Sequence, residues 1–216
     1  MPQTSTARAV LLDMDGTLVD STAVVERLWL EWADAHGLDD DRVLSVIHGR
    51  QGHESMAILL PERDPAINRA ENARMLSAEG VDTDGVVAVP GAAELLAGIV
   101  GLPHALVTSA DEALAAARMA AAGLRVPEVR VTAEHVSRSK PDPEGFLLGA
   151  ELLAVDPQDC IVFEDSHAGI AAGLAAGMTV IGVGERAGGA GAQALVADLT
   201  QVTIRPVDGG IEVTVA

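Results

Sequence analysis

The chain has 216 residues, with 49% apolar and 21% charged side chains. That is enough to bury a full core without staples, and it excludes a disordered chain, a collagen-like repeat or a coiled coil. The 14 Lys and Arg against 32 Asp and Glu leave a net charge of −18, which repels polyanions, and the lone Cys160 excludes a disulfide framework or a cysteine-rich zinc site.

Residues 8–12 form a short apolar run that stops at Asp13-Met14-Asp15-Gly16-Thr17. This reads as a buried strand feeding a polar loop. Over 21–36, Val24, Val25, Leu28, Trp29 and Trp32 recur at helical spacing, with Ser21 or Thr22 to cap the start and Gly37 to end it. Further helices are predicted at 42–47, 55–60 and 65–79, with no strand between about 20 and 80. The segment 85–89 reads as a linker ending at Pro90-Gly91. Beyond it, strands at 105–107, 128–131, 160–163 and 178–183 alternate with helices at 92–100, 111–122, 143–153 and 167–176. Such alternation is the pattern of a parallel sheet wrapped by helices. Residues 182–191 are glycine-rich and read as loop, and 203–215 as a terminal hairpin around Asp208-Gly209-Gly210. The expected fold is therefore α/β: a Rossmann-like parallel sheet core formed by 1–19 and 86–216, with a small helical cap, 20–85, inserted after the first strand. Mean hydropathy is +0.27. Even so, no run approaches the ~20 apolar residues of a spanning helix, and residues 1–8 lack a signal peptide's apolar centre. A cytoplasmic protein that binds neither membrane nor nucleic acid is expected.

In an open parallel sheet, ligands bind beyond the carboxyl ends of the strands. Just past those ends stand Asp13 and Asp15, then Thr108 and Ser109, then Lys140, then Glu164 and Asp165. Gathered carboxylates resist ionisation unless a cation joins them, and a small carboxylate set with room for water suits Mg²⁺. A divalent cation, a lysine and two hydroxyls make a site for a multiply charged anion such as phosphate. Two aspartates two residues apart can divide the work, one attacking phosphorus and the other handling protons.

Alone, each residue has a plainer reading. Asp13 and Asp15 fit a turn or cap, Thr108 or Ser109 an N-cap, Lys140 a solvated surface, and Glu164 a loop acid. Asp20 and His167 read as structural, Cys160 as packing, and Trp29 and Trp32 as helical core.

The nine residues Asp13-Met14-Asp15-Gly16-Thr17-Leu18-Val19-Asp20-Ser21 resemble the first motif of the haloacid dehalogenase-like hydrolases of the phosphatase type. Thr108 matches that family's second motif, Lys140 in Ser139-Lys140-Pro141-Asp142-Pro143-Glu144 its third, and Glu164-Asp165-Ser166-His167-Ala168-Gly169-Ile170 its acidic fourth. The set spans about residues 8–185. The helical insert is similar to that of the branch holding beta-phosphoglucomutase and small sugar- and polyol-phosphate phosphatases. Ile47-His48-Gly49-Arg50-Gln51-Gly52 and the exit 79–91 look more like the phosphatases. Asp15 argues against a dehalogenase, and the absence of lysine from 20–88 against a phosphonatase.

The resemblance implies a Mg²⁺-dependent phosphatase of a small sugar or polyol phosphate, acting through an aspartyl-phosphate. Asp13 would be the nucleophile and Asp15 the acid and base. Asp13, the Asp15 carbonyl and Asp165 would hold the metal, with Glu164 nearby or through water. Thr108, Ser109 and the Met14 and Asp15 amides would hold phosphate, and Lys140 would bridge Asp13 and the phosphate. In the insert, His48, Arg50 and His53 are the candidates to face the rest of the substrate, Arg50 foremost. Linkers near 17–21 and 83–90, with Gly16, Gly85 and Gly91, would serve as hinges. The alternatives are a beta-phosphoglucomutase-like phosphomutase and, outside enzymes, a catalytically silent binding module on the same fold. The protein is expected to be a monomer or a weak homo-oligomer.

Overall fold

The computed structural model describes residues 2–216. Its centre is a six-stranded, wholly parallel sheet: β2 (Ala9–Leu12), β5 (His104–Val107), β6 (Arg130–Val131), β7 (Cys160–Glu164), β8 (Thr179–Val183) and β9 (Ala194–Val196), in the order β6-β5-β2-β7-β8-β9. Every residue of β2 and β7 is buried. These strands lie between two helical layers, which is why their sequences are apolar runs and do not alternate. Val10 and Leu12 of β2 face one buried cluster, which includes Leu95 of α5 (Ala92–Gly98) and Leu114 of α6 (Glu112–Ala121). Ala9 and Leu11 face the other, with Phe146 of α7 (Glu144–Leu152) and Ile170 of α8 (His167–Ala175).

Strand order reverses at β2: the chain builds outward to β5 and β6, then returns to β2's other side with β7. That switch point opens a crevice at the carboxyl ends of β2, β5 and β7. The helices that follow β5 and β7 are capped locally. Asp111 accepts the Leu114 amide at the start of α6, and Ser166 accepts the Gly169 amide at the start of α8. Neither Thr108 nor Ser109 caps α6. Thr108 lies three residues too early and instead accepts the Ala110 amide at 3.1 Å.

Between β3 (Val19–Asp20) and β4 (Val87–Ala88) stand four helices: α1 (Thr22–His36), α2 (Asp40–Leu44), α3 (Gly52–Leu59) and α4 (Pro65–Val81). β3 and β4 pair antiparallel, so the two connections to the sheet run side by side. The helices share their own buried cluster, in which Trp29 and Trp32 pack edge to face at 5.4 Å with Met56 and Met75. Gly37 ends α1 at φ 64°, as expected. Ser21, by contrast, makes no side-chain cap, because its hydroxyl points to Asp15.

Four strands lie where none was expected: β3 and β4, in stretches read as linkers, and two more. β1 (Gln3–Ala7) adds to the terminal hairpin of β10 (Val202–Val207) and β11 (Gly210–Val215), giving a separate antiparallel sheet ordered β1-β11-β10. β9 emerges just beyond the glycine-rich tract as the last strand of the parallel sheet. The strand expected at 128–131 shrinks to β6, Arg130–Val131. No helix among the described residues is long and apolar enough to cross a membrane.

Candidate active site

At the switch point, Lys140 reaches under the strand ends. Its Nζ donates to Asp13 Oδ1 at 2.5 Å, to Glu164 Oε1 at 2.8 Å and to the Val107 carbonyl at 3.2 Å. Thus one ammonium ties β2, β5 and β7 together, and its side chain is only 6% exposed. Lys140 is the chain's only lysine. Burial pushes its pKa down, but Asp13 and Glu164 outweigh that and hold it above the ordinary lysine value. The other Glu164 oxygen accepts the Ser166 amide at 2.6 Å and the Ser166 hydroxyl at 3.0 Å. A Cβ at Gly169 would collide with this carboxylate, so the first turn of α8 must carry glycine there to sit so close.

Asp13, Glu164 and Asp165 each offer an oxygen, and these lie within 4.8 Å of one another. Burial first, then repulsion from Glu164 and Asp165, pushes Asp13 well above the usual carboxylate range despite Lys140. Asp165 is raised to about 7 by burial and Glu164, against the pull of Arg186. Lys140 and Arg186 therefore leave excess negative charge in the cluster. An oxygen-only donor set with surplus charge is what a hard divalent cation requires, so these residues fit Mg²⁺. Arg186, just after β8, donates Nη2 and Nε to Asp165 Oδ2 at 2.9 and 3.0 Å, and Nη1 to Thr22 Oγ1 at 3.3 Å. Gly16 (φ 85°) lies directly against the same Asp165 oxygen, leaving no room for a Cβ.

Asp15 sits one step further out. Its Oδ1 accepts Ser21 Oγ at 2.7 Å, and its Oδ2 pairs with Arg118 Nη1 of α6 at 2.8 Å. Arg118 Nη2 in turn pairs with Glu79 Oε2 of α4 at 2.5 Å. Burial raises Glu79 to about 7 in spite of Arg118. The Met14 carbonyl accepts the Leu18 and Val19 amides, which folds the loop after β2 tightly. Between this rim and the helical segment lies a cleft of about 750 Å³, part of it open to solvent. Asp13, Asp15, Thr108 and Ser109 line one side, and Trp29, His48, Arg50 and Asn72 the other. Gly49 brings the two walls together: its carbonyl accepts Ser109 Oγ at 3.4 Å, and a Cβ there would strike Ser166. Burial, then the charge of Arg186, lowers the His48 pKa to about 4, so the ring is neutral near pH 7.

A family model for haloacid dehalogenase-like hydrolases matches residues 7–177. The chain belongs to this family. It is 47% identical to a hexitol phosphatase A from Escherichia coli (strain K12) over 178 residues, 82% of either chain. It is 35% identical to a validoxylamine A 7'-phosphate phosphatase from Streptomyces hygroscopicus subsp. limoneus, covering 90% of this chain and 95% of that one. A beta-phosphoglucomutase structure from Clostridium difficile superposes with a TM-score of 0.76 at 24% identity, covering 91% of this chain and 93% of that one. At that identity the likeness shows a shared fold.

The residues matching the family's four motifs thus meet at one crevice. Asp13, Thr108, Lys140, Glu164 and Asp165 are all buried there, with Asp15 and Ser109 partly exposed beside them. His48 and Arg50 line the opposite wall. Asp20 accepts the Thr22 amide, and the His167 ring lies 2.9 Å from the Gly188 carbonyl, both structural contacts. Three site residues escaped the sequence reading: Arg118, Glu79 and Arg186. A signal existed for the first. On α6, Leu114, Ala115, Arg118 and Met119 form the buried face, and an arginine on an otherwise apolar stripe needs an acidic partner. Arg186 lies in the tract taken for plain loop, and nothing local distinguishes it.

Proposed function

We propose that this phosphatase of the haloacid dehalogenase-like family removes phosphate from a small sugar or polyol monophosphate through an aspartyl-phosphate on Asp13. The observation that carries the reading is the Lys140 ammonium shared by Asp13 and Glu164 at the switch point. It supports an immobile Asp13 oxygen, drawn toward ionisation by the ammonium, beside a place for phosphate. The Asp13 and Asp165 carboxylates and the Asp15 carbonyl would hold Mg²⁺, with Glu164 bound directly or through water. When bound, the ion supplies positive charge that draws the phosphate in and offsets its charge during transfer.

Asp13 attacks phosphorus while Asp15 gives its proton to the departing alkoxide. Asp15 then takes a proton from the water that cleaves the aspartyl-phosphate. Thr108, Ser109 and the Met14 and Asp15 amides orient the phosphate oxygens, and Lys140 opposes the burial that favours the protonated form of Asp13. Residues 20–85 act as a cap on the core 1–19 and 86–216. Their separate buried cluster and the paired β3–β4 connections support that division. The cap wall, with His48 and Arg50, meets the non-reacting part of the substrate and shuts out bulk water. The phosphatase names of the relatives at 47% and 35% identity favour water over a second sugar as the acceptor. The reaction is assigned to the cytoplasm.

The test is phosphate release by purified protein from a panel of hexitol, hexose and glycerol phosphates, with Mg²⁺ or with EDTA. Release from at least one ester, abolished by EDTA and by Asp13→Asn, is expected. Release that survives Asp13→Asn, or depends on an added sugar bisphosphate, would overturn the reading.

A further inference from the structure

Arg118 is the centre of a buried chain of charges that the family motifs do not include. It is 4% exposed, and Glu79 is 6% exposed. The chain runs from Glu79 on α4, through Arg118 on α6, to Asp15 after β2. Ser21 at the head of α1 closes the far side of the same carboxylate. Two other segments therefore meet on the Asp15 side chain, and α4 reaches it through Arg118. Buried ion pairs cost desolvation and contribute little net stability, so apolar side chains of similar volume would pack these helices as well. What the charges add is direction: a guanidinium fixes a carboxylate in plane and in rotamer.

We propose that Arg118 is a positioning residue for Asp15, and that Glu79 aligns Arg118, so that the docking of α4 on α6 completes the proton-transfer group. The inference rests on the reading of Asp15 given above. In the first half-reaction the Asp13–phosphorus bond forms, the ester P–O bond breaks, and the alkoxide takes the Asp15 proton. In the second, water attacks phosphorus, Asp15 takes a proton from it, and Asp13 and inorganic phosphate are released. Both transfers need the same carboxylate in the same place, and Arg118 acts through that carboxylate. With Arg118 and Ser21 each holding one oxygen, the carboxylate cannot swing between the two steps. Misplacement of a proton-transfer group by an ångström is enough to slow both.

The leaving group makes this testable. An alkoxide needs a proton as it departs, whereas p-nitrophenolate leaves without one. In the double variant Arg118→Met/Glu79→Gln, which strands no buried charge, kcat/KM for glucitol 6-phosphate should fall by at least about tenfold. For p-nitrophenyl phosphate, kcat/KM should change by less than about threefold. Its turnover should nevertheless show a burst, because the second proton transfer is slowed. Parallel loss with both esters, or loss with neither, at an unchanged unfolding midpoint would overturn the proposal. If the double variant does not fold, Glu79→Gln alone should shift the same ratio by about threefold, and an unshifted ratio refutes the role. Asp15→Asn separates the two ideas. Alkyl-selective loss there, without it in the Arg118 variants, removes the positioning role alone. No such loss in Asp15→Asn removes the reading of Asp15 itself.

Discussion

The two walls of the cleft are built in opposite ways. On the sheet rim the buried charges are paired: Lys140 makes three contacts, Glu164 uses both oxygens, and Asp165 is held by Arg186. On the helical wall the partners are sparse. Among the described residues, Arg50 Nε is buried without a hydrogen bond, and the His48 ring lies 3.6 Å from Glu26. A network of paired charges suits one unchanging task, holding phosphate for attack. Groups with spare bonding capacity suit contacts that a ligand completes. On the function proposed above, the contrast assigns the reaction to the rim and the choice of substrate to the helical wall.

The strongest way to break that contrast is Lys140→Met. It leaves Asp13 and Glu164 facing each other, buried, with no cation between them. Breaking a buried pair this way costs about 3–5 kcal/mol. Turnover should fall at least about a hundredfold, since nothing would then oppose burial and Glu164 in holding the nucleophile protonated. Steady-state kinetics and denaturant unfolding of the same preparation check both effects. A loss below tenfold would mean that the rim does not depend on its lysine.

The rim was legible in the sequence because each of its parts stands just past an apolar run. Leu11-Leu12 before Asp13, Leu106-Val107 before Thr108 and Val162-Phe163 before Glu164 mark strand ends with functional groups attached. Composition hid other elements. β9 is only Ala194-Leu195-Val196 beside a glycine-rich tract, and β1 is mostly polar because its outer residues face solvent. Both are decided by a neighbouring strand, β8 and β11 respectively, and not by their own residues. Glu79 was invisible for a related reason. It occupies a helical position any surface charge could fill, and only the packing of α4 on α6 buries it against Arg118.

Arg50→Gln sharpens the contrast from the other wall. If the helical side reads the substrate, KM for the sugar or polyol phosphate should rise about three- to tenfold while kcat holds. For p-nitrophenyl phosphate, which has no hydroxyls to offer, KM should stay put. An equal fall in kcat with both esters would place Arg50 on the reacting phosphate and dissolve the division between the walls.

The smallest effect comes from His48, where pH reports how tightly the walls close. Burial, then the charge of Arg186, lowers this imidazole from the usual 6.5 to about 4, against the pull of Asp15. The unfolded chain binds a proton near pH 6.5, and the folded chain does so only near 4. Between those values the unfolded state holds more protons, so unfolding free energy rises with pH. The contribution of His48 is thus whole above about 6.5 and is lost as pH falls through 4. Asp165 and Glu79, each raised to about 7, bias stability the other way over much of the same window. The readout is therefore the difference between the wild type and His48→Gln. Relative to the variant, the wild type should lose stability steadily from pH 6.5 to 4 in denaturant titrations, with a slope below one proton. A flat difference would mean that His48 titrates as it does in water, with the helical wall standing away from the rim.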